Sequence, residues 1–228
     1  MKITFLHSGN TNFSPIPASN NLPLWYESIN SYMGNRKQTI NVNGEILTTA
    51  TVKKCMPVFD VMTAGYLIVT WSDIKISIVN GTPVYEITEK ILTNHNLEQA
   101  TNHPSIFKED DLIAKFINQW GIQTELGYSC LFIPPTHREN ILSILPGIVD
   151  TDTYHLPIHL PLVLSDRNFE GVIPAGTPIA QVIPFKREKT QANYQQMLQS
   201  DKDKLFDMLH KQPFNGYKTN FWSSKNFL

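Results

Sequence analysis

The stretch from Gly127 to Arg187 constrains the fold of this chain more than any other part of its 228 residues. It reads GYSCLFIPPTHRENILSILPGIVDTDTYHLPIHLPLVLSDRNFEGVIPAGTPIAQVIPFKR. Short apolar, β-prone runs alternate with Pro, Gly, Asp and Asn breaks, the pattern of packed strands joined by tight loops. Two pieces stand out, Gly147–Tyr154 (GIVDTDTY) and Ile173–Ile183 (IPAGTPIAQVI).

The same alternation extends towards the N-terminus. QTINVNGEILTTATVKK reads as a hairpin turning at Asn43-Gly44, the dipeptide that tight two-residue β-turns favour. MPVFDVMTAGYLIVTW reads as continuous strand. Ile74, Ile76 and Ile78 then alternate with polar residues up to a second turn at Asn80-Gly81. Other segments break the pattern. Leu22–Met33 places Leu24, Trp25, Ile29 and Met33 near helical spacing behind Pro23. Residues 89–119 are polar, carry His95 and His103, and end in a short helix predicted over Asp110–Asn118. Arg187–Lys211 reads as helix, with Tyr194, Met197, Leu198, Leu205, Met208 and Leu209 as its apolar stripe. The tail YKTNFWSSKNFL interleaves Lys218 and Lys225 with Tyr217, Phe221, Trp222 and Phe227. Such a tail suits single-stranded nucleic acid or docking onto a neighbouring subunit, and docking is the expectation at this length. The predicted organisation is an N-terminal arm over 1–37, a β core over 38–187 with an insertion at 88–119, and a helical, aromatic-basic extension over 188–228.

Composition sets outer limits. A hydrophobic fraction of 41% supports a packed core rather than global disorder. A net charge of −1 gives no overall expectation of nucleic-acid or membrane-surface binding. No window approaches the roughly 20 apolar residues of a membrane helix, and the opening MKITFLHSGNTNF has too short an apolar run for a signal peptide. Cys55 and Cys130 lie in apolar runs and read as buried, reduced thiols. No metal site is expected from either, because neither has a closely spaced partner ligand. His155 and His159 would face one side of an extended chain near Asp150 and Asp152, which is the one metal arrangement to weigh. Asp150 and Asp152 also read simply as turn residues that bond their own backbone.

Four segments in order carry a resemblance: Pro57–Ile68 (PVFDVMTAGYLI), Leu126–Arg138 (LGYSCLFIPPTHR), Gly147–Tyr154 and Gly176–Ile183 (GTPIAQVI). Together they resemble the motifs of the dUTPase and dCTP deaminase superfamily, whose fold is the β-clip. The whole chain also resembles a family of phage-encoded proteins sharing the GIVDTDTY, GTPIAQVIPFKR and aromatic-basic tail segments. The first resemblance implies a mainly β, β-clip core, a homotrimer with sites between subunits, and a pyrimidine nucleoside triphosphate as ligand. It implies Asp150 as the water-activating carboxylate. It further implies Thr136, Arg138 and Gln181 near phosphate, Tyr154 under the sugar, and Mg²⁺ on the triphosphate. The second implies a viral setting, in host cytoplasm or virion. The chain departs from the dUTPase pattern at Leu67, where the family has Asp, and at Pro135-Thr136-His137-Arg138, where it has Pro-Arg-Ser. It also lacks the family's Gly-rich closing arm. The alternative expectation is therefore a non-enzymatic viral structural or host-interaction protein that uses the β-clip as an oligomeric scaffold.

Overall fold

The computed structural model describes residues 1–7, 12–87, 89–94 and 113–225. His95, His103 and Phe227 lie outside them. The fold is mainly β, as the sequence predicts, with short helices before the core and near the C-terminus. In chain order, β1 (Ile3–His7) and β2 (Ile16–Pro17) precede helix α1 (Leu24–Ser28) and the hairpin β3 (Thr39–Val42) and β4 (Glu45–Thr48). Helix α2 (Met56–Thr63) leads to β5 (Tyr66–Val69), the hairpin β6 (Ile74–Val79) and β7 (Thr82–Ile87), and β8 (Leu92–Asn94). Then follow β9 (Ile113–Phe116), β10 (Trp120–Thr124), β11 (Tyr128–Ile133), β12 (Leu142–Ile144) and β13 (Gly147–Val149). β14 (Leu160–Leu164), β15 (Gly171–Ile173) and β16 (Pro178–Lys186) complete the strands, and α3 (Gln199–Lys211) and α4 (Gly216–Asn220) close the chain. Among the described residues no helix is long and apolar enough to cross a membrane.

The chain divides into two compact units: Met1–Asn21 with Ala64–Arg187, and Leu22–Thr63 with Glu188–Leu228. The first holds antiparallel sheets in the orders β13-β11-β16-β5-β2, β12-β14-β9-β8, β15-β6-β7 and β1-β10. Their inward residues, among them Ile68, Ile74, Ile76, Phe116, Ile122, Phe132, Leu162 and Val182, make one core. Residues 88–119, read as an excursion, have core strands at both described ends, with Ile91, Leu92, Ala114 and Phe116 buried. The helix predicted over Asp110–Asn118 is not found at Ile113–Phe116, which pairs as β9 with β14 and β8. Ala114 and Phe116 are two apart, and alternation wins over any helical spacing in so short a run. Both predicted hairpin turns form. Asn43 and Gly44 (φ 54° and 87°) and Asn80 and Gly81 (φ 51° and 78°) occupy the left-handed pairs that tight β-turns require.

A second correction concerns Met56–Thr63, read as strand and found as helix α2. Met56, Phe59, Met62 and Thr63 recur at helical spacing, and Pro57 sits in the first turn, where its missing N–H costs nothing. The Thr63 hydroxyl donates back to the Phe59 carbonyl (2.9 Å). Gly65 begins the return to strand at φ +66°, where an added Cβ would lie 1.9 Å from the Val182 carbonyl oxygen. Only glycine fits that approach.

The second unit contains α1, β3–β4, α2, α3 and α4, so the hairpin at 39–48 groups with it and not with the residues of the predicted core. The predicted helix over Arg187–Lys211 is shorter than expected. Residues 188–198 have no regular secondary structure and are exposed, leaving Tyr194, Met197 and Leu198 outside α3. Nothing buries this segment, and without packing a helix in water is marginal. Within α3, Asp201 in the first turn and His210 and Lys211 in the last complement the helix dipole. The tail makes contacts with its own chain. Trp222 Nε1 donates to both oxygens of Asp60 on α2 (3.1 and 2.9 Å), and Lys225 Nζ pairs with Asp60 at 2.9 Å.

Candidate functional site

The Gly147–Tyr154 segment leaves the sheet at its β13 edge. Val149 is still paired with Cys130 of β11. Thr151 turns inward, wholly buried, the Asp150 side chain is exposed, and the Asp152 side chain lies covered beneath Arg187. Thr151 Oγ1 lies 2.8 Å from Thr124 Oγ1 and 3.4 Å from the buried Cys130 Sγ, whose thiol is pushed up by burial. The chain then turns, with Thr153 and Tyr154 N–H donating to the Asp150 carbonyl (3.1 and 2.9 Å). The turn reading and the site reading of Asp150 therefore describe one geometry, because the backbone turn is what presents the Asp150 carboxylate.

Those carboxylates meet a cation that the sequence reading missed. Arg187 follows β16, whose Lys186 pairs with Tyr128 of β11. Its Nη1 donates to Asp150 Oδ1 (2.9 Å), Asp152 Oδ1 (3.0 Å) and Ser129 Oγ (3.0 Å), and its Nη2 donates to Asp152 Oδ2. Ser129 Oγ donates to Asp150 Oδ1 at 2.7 Å, and the Gly127 N–H donates to Asp152 Oδ2 at 2.8 Å. The Arg187 guanidinium, helped by the Gly127 amide, holds the Asp152 carboxyl below the usual carboxylate range. Asp152, in return, holds the guanidinium's proton more tightly than usual. The even offset of the two acids was the only signal in the sequence; the place of Arg187 beside them follows from the β11–β16 register. The Asp150 side chain stays 64% exposed.

The other predicted residues gather elsewhere. Gln181 on β16 is 1% exposed. Its Oε1 accepts from Thr136 N–H (3.0 Å) and Thr136 Oγ1 (2.9 Å), and its Nε2 donates to the Ala64 carbonyl (2.8 Å). Its amide thus fastens the Thr136 turn to the sheet. Arg138 donates to the Asn21 carbonyl, and burial pushes its guanidinium below its usual range. Asn140 closes the same turn by donating to the Pro135 carbonyl at 3.0 Å. Tyr154 is exposed beside Asp150. Leu67, at the position where dUTPases carry Asp, is a buried strand residue paired with Gln181.

Two clusters result, at opposite ends of β11. Ser129 marks the Asp150 end, and Ile133, paired with Gln181, marks the Thr136–Arg138 end. At about 3.3 Å per residue, four residues of strand separate them by roughly 13 Å. One copy of the chain therefore does not bring Asp150 to Thr136 and Arg138. Among the described residues no group of three or more His, Cys, Asp or Glu is placed to hold a metal ion. The His155 ring pairs with the Asp152 carbonyl instead (3.1 Å).

No protein-family profile matches the chain, and no curated protein matches it. Among solved structures, it is similar to two variants of the dUTPase of Staphylococcus bacteriophage 80alpha, each with dUpNHpp. One match has 12% identity and a TM-score of 0.33, covering 60% of this chain and 78% of that one. The other has 12% identity and a TM-score of 0.29, covering 55% and 98%. Likeness at this level is distant.

Proposed function

We propose that this is a phage protein that binds a pyrimidine nucleoside triphosphate on a dUTPase-like β-clip scaffold, at sites formed between copies of the chain. The observation that carries the reading is the separation of the two clusters. Asp150, oriented and exposed on an edge strand, needs a phosphate-binding turn that its own chain holds about 13 Å away. A neighbouring copy would supply Thr136 and Arg138, with Gln181 positioning that turn from beneath. Near the Asp150 segment, Leu126 before β11 and Ile148 on β13 are exposed, by 86% and 63%.

In such a site the exposed Tyr154 ring would lie under the sugar. Asp150 Oδ1 is taken by Ser129 and Arg187, which leaves Oδ2 to accept a proton from an attacking water. The water oxygen would bond to the α-phosphorus as the bridge to the β-phosphate breaks, releasing pyrophosphate and a monophosphate. Asp152 is committed to Arg187 and Gly127 and offers no cage for Mg²⁺. The ion would arrive on the triphosphate, where it neutralises phosphate charge.

The test is a nucleotide screen with dUTP, dCTP, dTTP and ribonucleotides in Mg²⁺, following products by chromatography and melting shifts in parallel. One nucleotide should raise the melting temperature, and any monophosphate released from it should disappear in Asp150→Asn. No shift and no product with any nucleotide would favour the second reading, an oligomeric scaffold without nucleotide. Gln181 and Arg138, each engaged with its own backbone, are the observation on that side.

A further inference from the structure

The second unit differs from the first in charge and surface chemistry. It carries ten Lys and Arg against seven Asp and Glu, a net +3, whereas the first unit has nine against thirteen, a net −4. The overall charge of −1 hides this asymmetry. Its lysines are interleaved with aromatic rings in space, although the sequence scatters them. Lys37 Nζ sits 5.2 Å over the Phe214 ring; Phe214 meets Tyr32 edge-on at 5.8 Å; Lys54 Nζ lies 5.8 Å over Tyr32. The next residue back, Lys53, lies 5.9 Å over Tyr26, which meets Trp25 edge-on and stacks on Phe59. Beside Phe59, Asp60 holds Trp222, and Lys218 lies 5.7 Å over the Trp222 ring. One connected band of lysines and rings thus runs through α1, α2, α4 and the segment around Lys37.

Charges in the band are unequally used. Lys53 donates to the Glu27 carbonyl, and Lys225 neutralises Asp60. Asp60 is only 16% exposed, so it offers little repulsion to an anion. Lys37, Lys54 and Lys218 have no ion-pair or hydrogen-bond partner among the described residues; each rests on a ring face. Trp25, Tyr217 and Phe221 are exposed, with 40%, 45% and 39% of their surfaces open.

We infer that the second unit binds single-stranded nucleic acid along this band. Lysine heads would take the phosphates, and the exposed rings of Trp25, Tyr217 and Phe221 would stack on bases. A lysine over a ring is a fixed positive charge on an apolar platform, the combination that single-strand binding uses without reading sequence. An acidic protein would use the charges but would have no call on the rings. A duplex keeps its bases stacked inside and would leave the rings idle.

The experiment is fluorescence anisotropy of a labelled oligo(dT) with the full chain over a range of salt. Three phosphate contacts predict a log–log salt slope of about −2. The triple variant Lys37→Ala, Lys54→Ala, Lys218→Ala should flatten the slope, and Trp25→Ala or Tyr217→Ala should weaken binding roughly tenfold each. Lys75→Ala, on β6 of the other unit, should change nothing, and circular dichroism would confirm that each variant is folded. No binding at the lowest salt overturns the proposal. So does equal affinity for a duplex of the same length, or displacement by polyglutamate with no effect of the ring variants. The readout does not involve nucleoside triphosphates, so it stands or falls apart from the Asp150 site.

Discussion

At the scale of single residues, the candidate site is defined by one arginine. Arg187 ties Asp150, Asp152 and Ser129 into one cluster across the ends of β11, β13 and β16. The sequence displayed the two acids and their alternation with Thr151, because alternation follows from strand geometry alone. It did not display Arg187 as their partner, because that pairing depends on strand register. The direction of the Gln181 amide is hidden for the same reason: its motif is visible, but its partners Thr136 and Ala64 lie far away in sequence. The Asp152 pairing has a pH signature. Its folded pKa lies below the unfolded one, so it stabilises the fold above the ordinary carboxylate value near pH 4 and loses that effect as pH falls through the lowered value. The melting temperature should therefore fall more steeply with acid in the native chain than in Asp152→Asn, which should be less stable at neutral pH. Glu86, held low by Lys75 and Ser77, titrates in both proteins and cancels in the comparison. Equal acid slopes would contradict the pairing.

At the scale of elements, strands with turn signals were legible, as were α1 and the C-terminal half of the helix predicted over Arg187–Lys211, while α2 was not. The hairpins at Asn43-Gly44 and Asn80-Gly81 announce themselves through residues that tolerate left-handed backbone. Helix α2 hides behind Val58, Phe59 and Val61, residues that favour strands, and forms because Met56, Phe59 and Met62 share one face. Helix α3 buries no residue and is shorter than its apolar pattern suggested. The tail's contact with its own chain was not legible, since the carboxylate that receives Trp222, Asp60, lies 162 residues earlier. Replacing Asp60 with Ala would leave the Trp222 N–H without its acceptor and Lys225 without its partner. The expected cost is about 1–3 kcal/mol in the stability of the second unit. It would be read by urea unfolding followed through tryptophan fluorescence. An unchanged midpoint would show that the tail contributes nothing to that unit.

At the scale of the whole molecule, the chain combines an acidic β unit and a basic unit rich in aromatic residues, with a near-neutral sum. Bulk charge concealed that division because both units are assembled from distant segments of the chain. The mainly β character was visible at once; the grouping of residues 22–63 with 188–228 was not, since it rests on contacts such as Trp222 with Asp60 and Lys37 with Phe214. The separation of Asp150 from Thr136 and Arg138 along β11 is likewise a property of the folded molecule. It makes the central claim, a nucleotide site shared between copies, directly testable by mixing. Asp150→Asn and Arg138→Ala chains would be prepared separately, then unfolded and refolded together, and binding of the nucleotide found in the screen measured by calorimetry. Each variant alone should bind weakly, and the mixed oligomers should regain part of the native binding, because some interfaces then pair an intact Asp150 with an intact Arg138. Mixtures that bind no better than either variant, while forming the same oligomer, would contradict a site shared between copies.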